Sequence, residues 1–441
     1  METLFSNISV ITMDERMQVL TDAFVGITDG KISYLAKKPP EEKPEKIIDG
    51  TGMVLMPGLV NCHTRLAETV LRGYADDLAA HERLNKLYPR LEQMDEKSAK
   101  ASALLGIAQC LRLGITSVSD LGLHADAVAQ AAAQAGIKAN VAQELTLLSE
   151  EDFDFDTHPD CQKLVALAQN HHGHEDGRIL VEAGLQGEYT SCYPLWEAIS
   201  EYAVNEKLGV HLNLSRFDWE NEDCLDRSGL TPAQLLDCHR LFAARTTAAH
   251  CCHLEDEDRA LLGRRKATAV VCADTDRKLA AGCADIPKMV KAGMNVAFGT
   301  GSAAESGSLD LLRQAGSAAL GAKLQAQDAE LLSAPSVLLM ATVCGAKAQG
   351  RENQCGMIKL GYDADLIALD FTQPHLIPSH DLMSSVVYAA CGTDVCMTMV
   401  RGKILYASGK YPTIDLNELM TILAQHAMPT IFAEKEEGSH A

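Results

Sequence analysis

The sequence predicts an α/β protein: a (β/α)8 barrel of the TIM type with a small β-sandwich assembled from the two ends of the chain. Three observations predict it. The 441-residue chain is long enough for a large barrel plus an accessory module. Its middle alternates eight apolar strand candidates with stretches of helical period, and its two ends read as short β-branched runs broken by turns.

Residues 1–54 supply the first part of the sandwich, where "AFVGITDGKISYL" (23–35) is a hairpin centred on Asp29 and Gly30, whose backbones tolerate positive φ. Residues 55–350 make the barrel. In "KSAKASALLGIAQCLRLG", Leu104, Ile107, Ala108 and Leu111 share one helical face that stops at Gly114, and "ITSVSD" follows as a buried strand. The same order recurs in "ADAVAQAAAQAG" before "IKANVAQE" and in "IPKMVKAG" before "MNVAFGTG". The eight strands end near His63, Asp120, Glu144, Gly184, Asn213, His250, Cys272 and Gly299, and such a barrel keeps its chemistry at those C-terminal ends. Residues 351–415, with "GMIKLGYDADLIALD" and "CMTMVRGKILYASGKYPT", return to the sandwich, and 416–441 form a terminal helix and polar tail.

With 60 acidic and 39 basic residues the net charge is −21, which argues against nucleic acid or an anionic membrane surface as partner and leaves a small-molecule ligand. The 14 cysteines are scattered with no C-x-x-C pair, the pattern of a reduced, cytoplasmic protein. The start, "METLFSNISVITMDERM", lacks the basic and apolar segments of a signal peptide, and no later run has the length of a membrane span. The cluster "NHHGHEDG" (170–177) is flanked by polar turn residues and reads as a solvated loop rather than a metal tract.

Three histidines fall at strand ends: His63, His211 in "GVHLNLSRFDWE" and His250 in "TTAAHCCHLEDED". One strand-end histidine is most often a hydrogen-bonded structural residue; three at one rim point to a site. Arg65 follows His63 at the spacing that puts both on one face of a strand, and its guanidinium has no lone pair to give a cation. Alternation turns Cys62 away from that face, and Asp120 reads as a structural cap.

The run "MPGLVNCHTRLAETVLRGYADDL", the segment "AAHCCHL", the stretch "KLAAGCADIPKMVKAGMNVAFGTGSAAESGSLDL" and the ending "DADLIALD" with "MVRGKILYASGKYPT" resemble the amidohydrolase superfamily. Within it they resemble the S-adenosylhomocysteine and 5′-methylthioadenosine deaminases and the triazine chlorohydrolases. The resemblance implies a divalent metal, usually zinc or iron, held by a His-x-His pair, a fifth-strand histidine and an aspartate after the eighth strand. It also implies a proton-moving glutamate and a sixth-strand histidine that holds the attacking water, and by family analogy a homo-oligomer. His63, His211 and His250 match three of these positions. Arg65 stands in place of the second paired histidine, Leu214 in place of the glutamate and Gly301 in place of the aspartate. Gln186 replaces a histidine that contacts the nucleoside in those deaminases, and Asp274 and Asp276 fall where a different motif is usual near the seventh strand.

Two of four ligands are too few for catalytic zinc, and a guanidinium about 4 Å away would repel the ion by at least several kcal/mol. No cofactor is therefore expected, and ordinary zinc deamination is not. One expectation is metal-independent hydrolysis at a C–N bond of a small heterocyclic or polar molecule. Arg65 would be its electrophile, one of His63, His211 or His250 its base, and Gln186, Asp274, Asp276 and Glu305 would contact substrate. In it Arg65 pairs with a new carboxylate, Asp274 or Glu305, or with an anionic ligand. A second is a non-catalytic binder or pseudoenzyme subunit whose Arg65 fills a void. A third is zinc on a rearranged site of His63, His211 and His250.

Overall fold

The computed structural model describes residues 1–433. The polar tail from 434 onward lies outside the described residues. Eight parallel strands make the barrel: β6 (Leu59–Thr64), β7 (Ile115–Gly122), β8 (Lys138–Leu145), β9 (Ile179–Leu185), β10 (Gly209–Leu214), β11 (Thr246–His250), β12 (Thr268–Val271) and β13 (Asn295–Phe298). They pair in sequence order, as the alternation of strand and helix predicts. The ring closes where Thr300 and Gly301 backbone N–H groups donate to the His63 carbonyl at 3.2 and 3.0 Å. Strands covered on both faces carry apolar runs; β8 is buried at every position.

Five strands precede the barrel, β1 (Thr3–Ile11), β2 (Val19–Thr28), β3 (Lys31–Ala36), β4 (Lys46–Asp49) and β5 (Met53–Pro57). Three follow it: β14 (Leu366–Asp370), β15 (Val395–Val400) and β16 (Lys403–Ala407). They form one continuous sheet in the order β16-β15-β14-β5-β1-β2-β3, with β4 on β1. Phe5, Val25 and Ile32 share a core with Leu366 and Met399, so one folded sheet makes the sandwich. The hairpin turns at Asp29 and Gly30, with φ of 50° and 71°.

At the N-terminal end of the barrel a buried ionic cluster ties this sheet to the strands. Lys138 Nζ sits between Asp363 (2.7 Å) and Asp365 (2.6 Å). Every guanidinium nitrogen of buried Arg351 has an acceptor, Asn140 Oδ1 or the carbonyls of Ala139, Gly177 and Arg178.

The histidine-rich run is solvated over 173–176, as expected, while His171 and His172 at its start are held in place. The helix Pro159–His171 extends into it, His171 meets Asp126 at 2.8 Å, and His172 Nδ1 accepts from the Val181 amide at 3.1 Å. These rings fasten a helix end to its neighbours. Among the described residues no helix is long and apolar enough to cross a membrane.

Over the barrel mouth lies helix α1 (Ala80–Glu92), followed by α2 (Glu96–Arg112), which Asp95 caps by accepting from the Ser98 amide.

Candidate functional site

The C-terminal strand ends bring the three histidines together. His63 Nδ1 and His211 Nε2 are 2.9 Å apart, and the His63 ring centroid lies 5.1 Å from that of His211 and 5.2 Å from that of His250. Burial, then the neighbouring imidazoles and arginines, hold His63 well below the ordinary histidine range, so it is neutral at pH 7. Behind His211, Glu182 stands 3.6 Å from Nδ1, and Arg245 holds it at 2.7 Å. Against its burial, Arg245 and His211 keep Glu182 ionised, at about 2.

Arg65 finds its carboxylate in Glu144, at the end of β8, 2.7 Å from Nη1, with Glu68 at 3.4 Å on the same nitrogen. Its Nη2 donates to Gln186, and Tyr88 from α1 donates to the other Glu144 oxygen at 2.9 Å. This corrects the expected pairing with Asp274 or Glu305. Asp274 turns outward to Arg313 at 3.2 Å and is not among the side chains lining the mouth. Glu305 is taken by two other arginines. Arg216 grips it through Nη1 (3.2 Å) and Nη2 (3.3 Å), and Arg83 from α1 reaches it at 3.2 Å. Against burial, Arg216 and Arg83 hold Glu305 at about 2.

Asp276 accepts from His250 Nδ1 at 2.7 Å and from Arg216 Nε at 3.2 Å. Burial opposes its charge, and His250 and Arg216 overcome that, so Asp276 stays ionised below its usual range. Burial and Arg216 hold His250 low, despite Asp276. Asp120 caps the segment after β6, accepting from the Leu66 amide at 2.6 Å and the Thr64 hydroxyl at 3.0 Å. Burial pushes its carboxyl up to about 7, and does the same to Glu220. Cys62 turns away, its Sγ against the Gly345 carbonyl.

A cavity of about 40 Å3 remains between Arg65, Arg83, Gln186, Asn213, Arg216 and Glu305, walled on one side by α1. That holds roughly three waters.

Sequence reasoning missed Arg83, Arg216, Glu68, Tyr88 and Glu182, and saw Glu144 only as a strand terminus. For Glu144 and Glu182 a signal existed: a carboxylate inside an apolar strand, "NVAQEL" and "LVEAGL", needs a buried partner. Arg216 stands two residues beyond the end of β10. Arg83 sits on a polar helix and had no signal.

The donor set does not fit the family's metal. His63 and His211 aim ring nitrogens at each other, so one of the two carries the proton between them and has no lone pair there. Arg65 stands where the resemblance puts the second histidine of the pair. Gly301 has φ of 63°, and a Cβ there would lie 2.9 Å from Thr275 Oγ1, so any side chain at this position, an aspartate included, is strained. Leu214 is fully buried in the barrel core. Among the described residues no group of three or more His, Cys, Asp or Glu side chains is placed to hold a metal ion, the three histidines included.

The model of the amidohydrolase family matches residues 54–405. A 5-methylthioadenosine/S-adenosylhomocysteine deaminase of Moorella thermoacetica is 34% identical over 405 residues, 91% of this chain and 94% of that one. A 5′-deoxyadenosine deaminase of Methanosarcina acetivorans is 34% identical over 415 residues, 94% and 95% of the two chains. Among solved structures, an adenosine deaminase from Xanthomonas campestris with bound zinc superposes with a TM-score of 0.90 at 27% identity, covering 98% of each chain. The atrazine chlorohydrolase of Arthrobacter aurescens, complexed with zinc, has the same fold, with a TM-score of 0.89 at 23% identity over 97% of this chain and 100% of that one.

Proposed function

The chain belongs to the amidohydrolase family, and on that premise we propose that its barrel mouth hydrolyses a C–N bond of a small polar substrate, with an imidazole–carboxylate pair and arginines in place of a metal centre. Its fold and relatives are of the hydrolase and deaminase type, while its metal-binding set is dismantled. The observation that carries the proposal is the buried His250–Asp276 contact of 2.7 Å, placed beside Arg216 and His63.

Ionised Asp276 fixes the proton on His250 Nδ1 and leaves a lone pair on Nε2, the arrangement of an oriented general base. None of the three histidines lines the cavity as it stands, so the reaction needs substrate to reach past Arg216 to His250; there water adds to the carbon while its proton passes to Nε2. The guanidinium of Arg65, which lines the cavity, stabilises the negative charge that develops on the substrate. The nitrogen then takes the proton from His250, the C–N bond breaks, and the carbon keeps the hydroxyl. Gln186 lines the same cavity and fits a contact to substrate. Asp276 and Glu305 act through His250, Arg216 and Arg83.

The test is release of ammonia or amine from a panel of small amides, lactams and amidines by protein dialysed against chelator, with metal content measured. Turnover that persists in metal-free protein, rises with pH on a limb below the ordinary histidine value, and falls by two or more orders of magnitude in His250→Ala supports the proposal. Turnover that appears only when zinc or iron is returned overturns it. A second reading, a non-catalytic small-molecule binder or pseudoenzyme subunit, is favoured by the small cavity and by the carboxylates already on each arginine. It predicts thermal stabilisation by ligand with no turnover across the panel.

The 14 free cysteines fit a reducing cytoplasm. Exposed Leu320 and Leu324, one turn apart on the helix Leu311–Ala326, fit self-association.

A further inference from the structure

Most polar atoms at the mouth have partners, and three without any belong to two residues lining the cavity. Arg83 is 2% exposed, and its Nη1 meets Glu305. Its Nε and Nη2 are buried without any hydrogen-bond partner. These two nitrogens form the edge of the guanidinium that offers two parallel N–H donors, the geometry that a planar carboxylate accepts. Asn213, across the same cavity, gives its Nδ2 to the Gln186 carbonyl at 2.8 Å, while its buried Oδ1 accepts nothing. Both residues line the cavity, and a buried donor fork and a buried acceptor without partners beside it are costly unless a ligand completes them.

We propose that the Nε–Nη2 edge of Arg83 is a carboxylate-binding subsite, so that the molecule recognised at the barrel mouth is a small carboxylic acid whose N–H group meets Asn213 Oδ1. This rests on the reading of the mouth as the substrate site. It adds what that reading lacks, a substrate class: an amide- or amidine-bearing carboxylic acid. The cavity matches a carboxylate in size, since about 40 Å3 takes roughly three heavy atoms, and a larger acid enters by displacement of α1. A monoanion is favoured over a phosphate dianion because Glu68, Glu144 and Glu305 already crowd the arginines. Arg83 has a partner on one side only; Arg351, equally buried, has one on every nitrogen.

The experiment is a binding titration on metal-free protein, independent of turnover, with acetate, acetamide, inorganic phosphate and N-formylglycine, read by thermal shift and calorimetry. Acetate is expected to bind and neutral acetamide not to, with N-formylglycine at least tenfold tighter than acetate. Arg83→Gln is expected to weaken acetate at least tenfold, and Asn213→Ala to remove the advantage of N-formylglycine. Should Arg83→Gln fail to fold, wild-type protein labelled with 15N-arginine decides, through displacement of one slowly exchanging Nε–H resonance on addition of acetate. Equal binding of acetate and acetamide, phosphate binding in preference to acetate, or no displaced arginine resonance overturns the proposal. Failure of the hydrolysis assay with acetate binding intact would remove the reaction and leave the subsite standing.

Discussion

The two ends of the barrel each bury a cluster of cations, and they complete them differently. At the N-terminal end Lys138 lies between two carboxylates and Arg351 has acceptors on all three nitrogens. At the C-terminal end Arg65, Arg83 and Arg216 are paired, yet one edge of Arg83 and the oxygen of Asn213, two residues that line a cavity, are buried without partners. Charge and burial alone do not separate scaffold from site. The separation lies in whether every donor is answered within the fold, and it follows the division of labour between the two faces of such barrels.

The largest effect expected from this contrast is on stability. Lys138→Met leaves Asp363 and Asp365 without their shared buried cation and is expected to cost about 3–5 kcal/mol. Arg83→Met removes a guanidinium with two unsatisfied nitrogens and leaves Glu305 on Arg216, so its cost is expected to stay within about 1 kcal/mol, or to change sign. Urea unfolding of the two variants measures both. Equal losses would erase the contrast.

A second difference is in proton binding. At the base Asp363 is ionised well below its usual range: burial opposes the charge, and Lys138 and its neighbours overcome it. At the mouth burial pushes Asp120 up to about 7 from 3.8. A carboxyl with a raised folded-state pKa holds its proton more tightly when folded, so its contribution is complete below about pH 4 and is lost as pH rises to about 7. Relative to Asp120→Asn, wild-type stability is therefore expected to fall with pH across that window, by up to about 1.4 kcal/mol per pH unit. The comparison of slopes cancels the opposite trend of the buried, neutral histidines. Parallel slopes in urea titrations between pH 5 and 8 would refute the assignment to Asp120.

Much of the fold was legible because it is written in periodicity. The eight strand ends read from "CHT", "VSD", "AQE" and the rest coincide with the ends of β6 to β13 within a residue or two, since a parallel strand buried on both faces cannot hide its apolar run. The histidines were legible for a related reason: a polar ring at the end of such a strand has only the mouth to face. Partners were not. Arg65 could be seen to lack metal-binding capacity, but its carboxylate comes from β8, 79 residues away, and the local pattern that says Glu144 needs a buried partner does not say which one. Arg83 depends on where α1 crosses the mouth, which is set by tertiary packing.

Gly301 gives a smaller effect and a sharper one. Restoring the family's ligand as Gly301→Asp places a Cβ 2.9 Å from Thr275 Oγ1 on a backbone with φ of 63°. A loss of about 1–2 kcal/mol is expected from the left-handed conformation and the close contact together. The triple variant Arg65→His, Leu214→Glu, Gly301→Asp is accordingly expected to remain short of stoichiometric zinc by elemental analysis, because the left-handed backbone and the Thr275 contact strain the carboxylate's placement. Full zinc occupancy in the triple variant would show that the mouth differs from its metal-binding relatives by side chains alone.

The smallest expected effect tests whether the mouth is hinged where the base is not. Tyr88 is the residue of α1 that reaches across to Glu144, donating at 2.9 Å to the carboxylate that also holds Arg65. Tyr88→Phe keeps the ring and removes only that bond. Glu144 stays paired with Arg65, so the loss is expected to be about 1 kcal/mol, the ordinary worth of a hydrogen bond whose acceptor keeps another partner. The more telling readout is local. With its tether cut, α1 is expected to open more readily than the barrel strands, and its amides to exchange with solvent faster while those of β8 are unchanged. Since α1 also carries Arg83, the same variant is expected to weaken acetate binding modestly, less than Arg83→Gln does. Uniform loss of protection in both elements would mean instead that Tyr88 supports the barrel as a whole, and that the mouth is as rigid a part of the scaffold as the base.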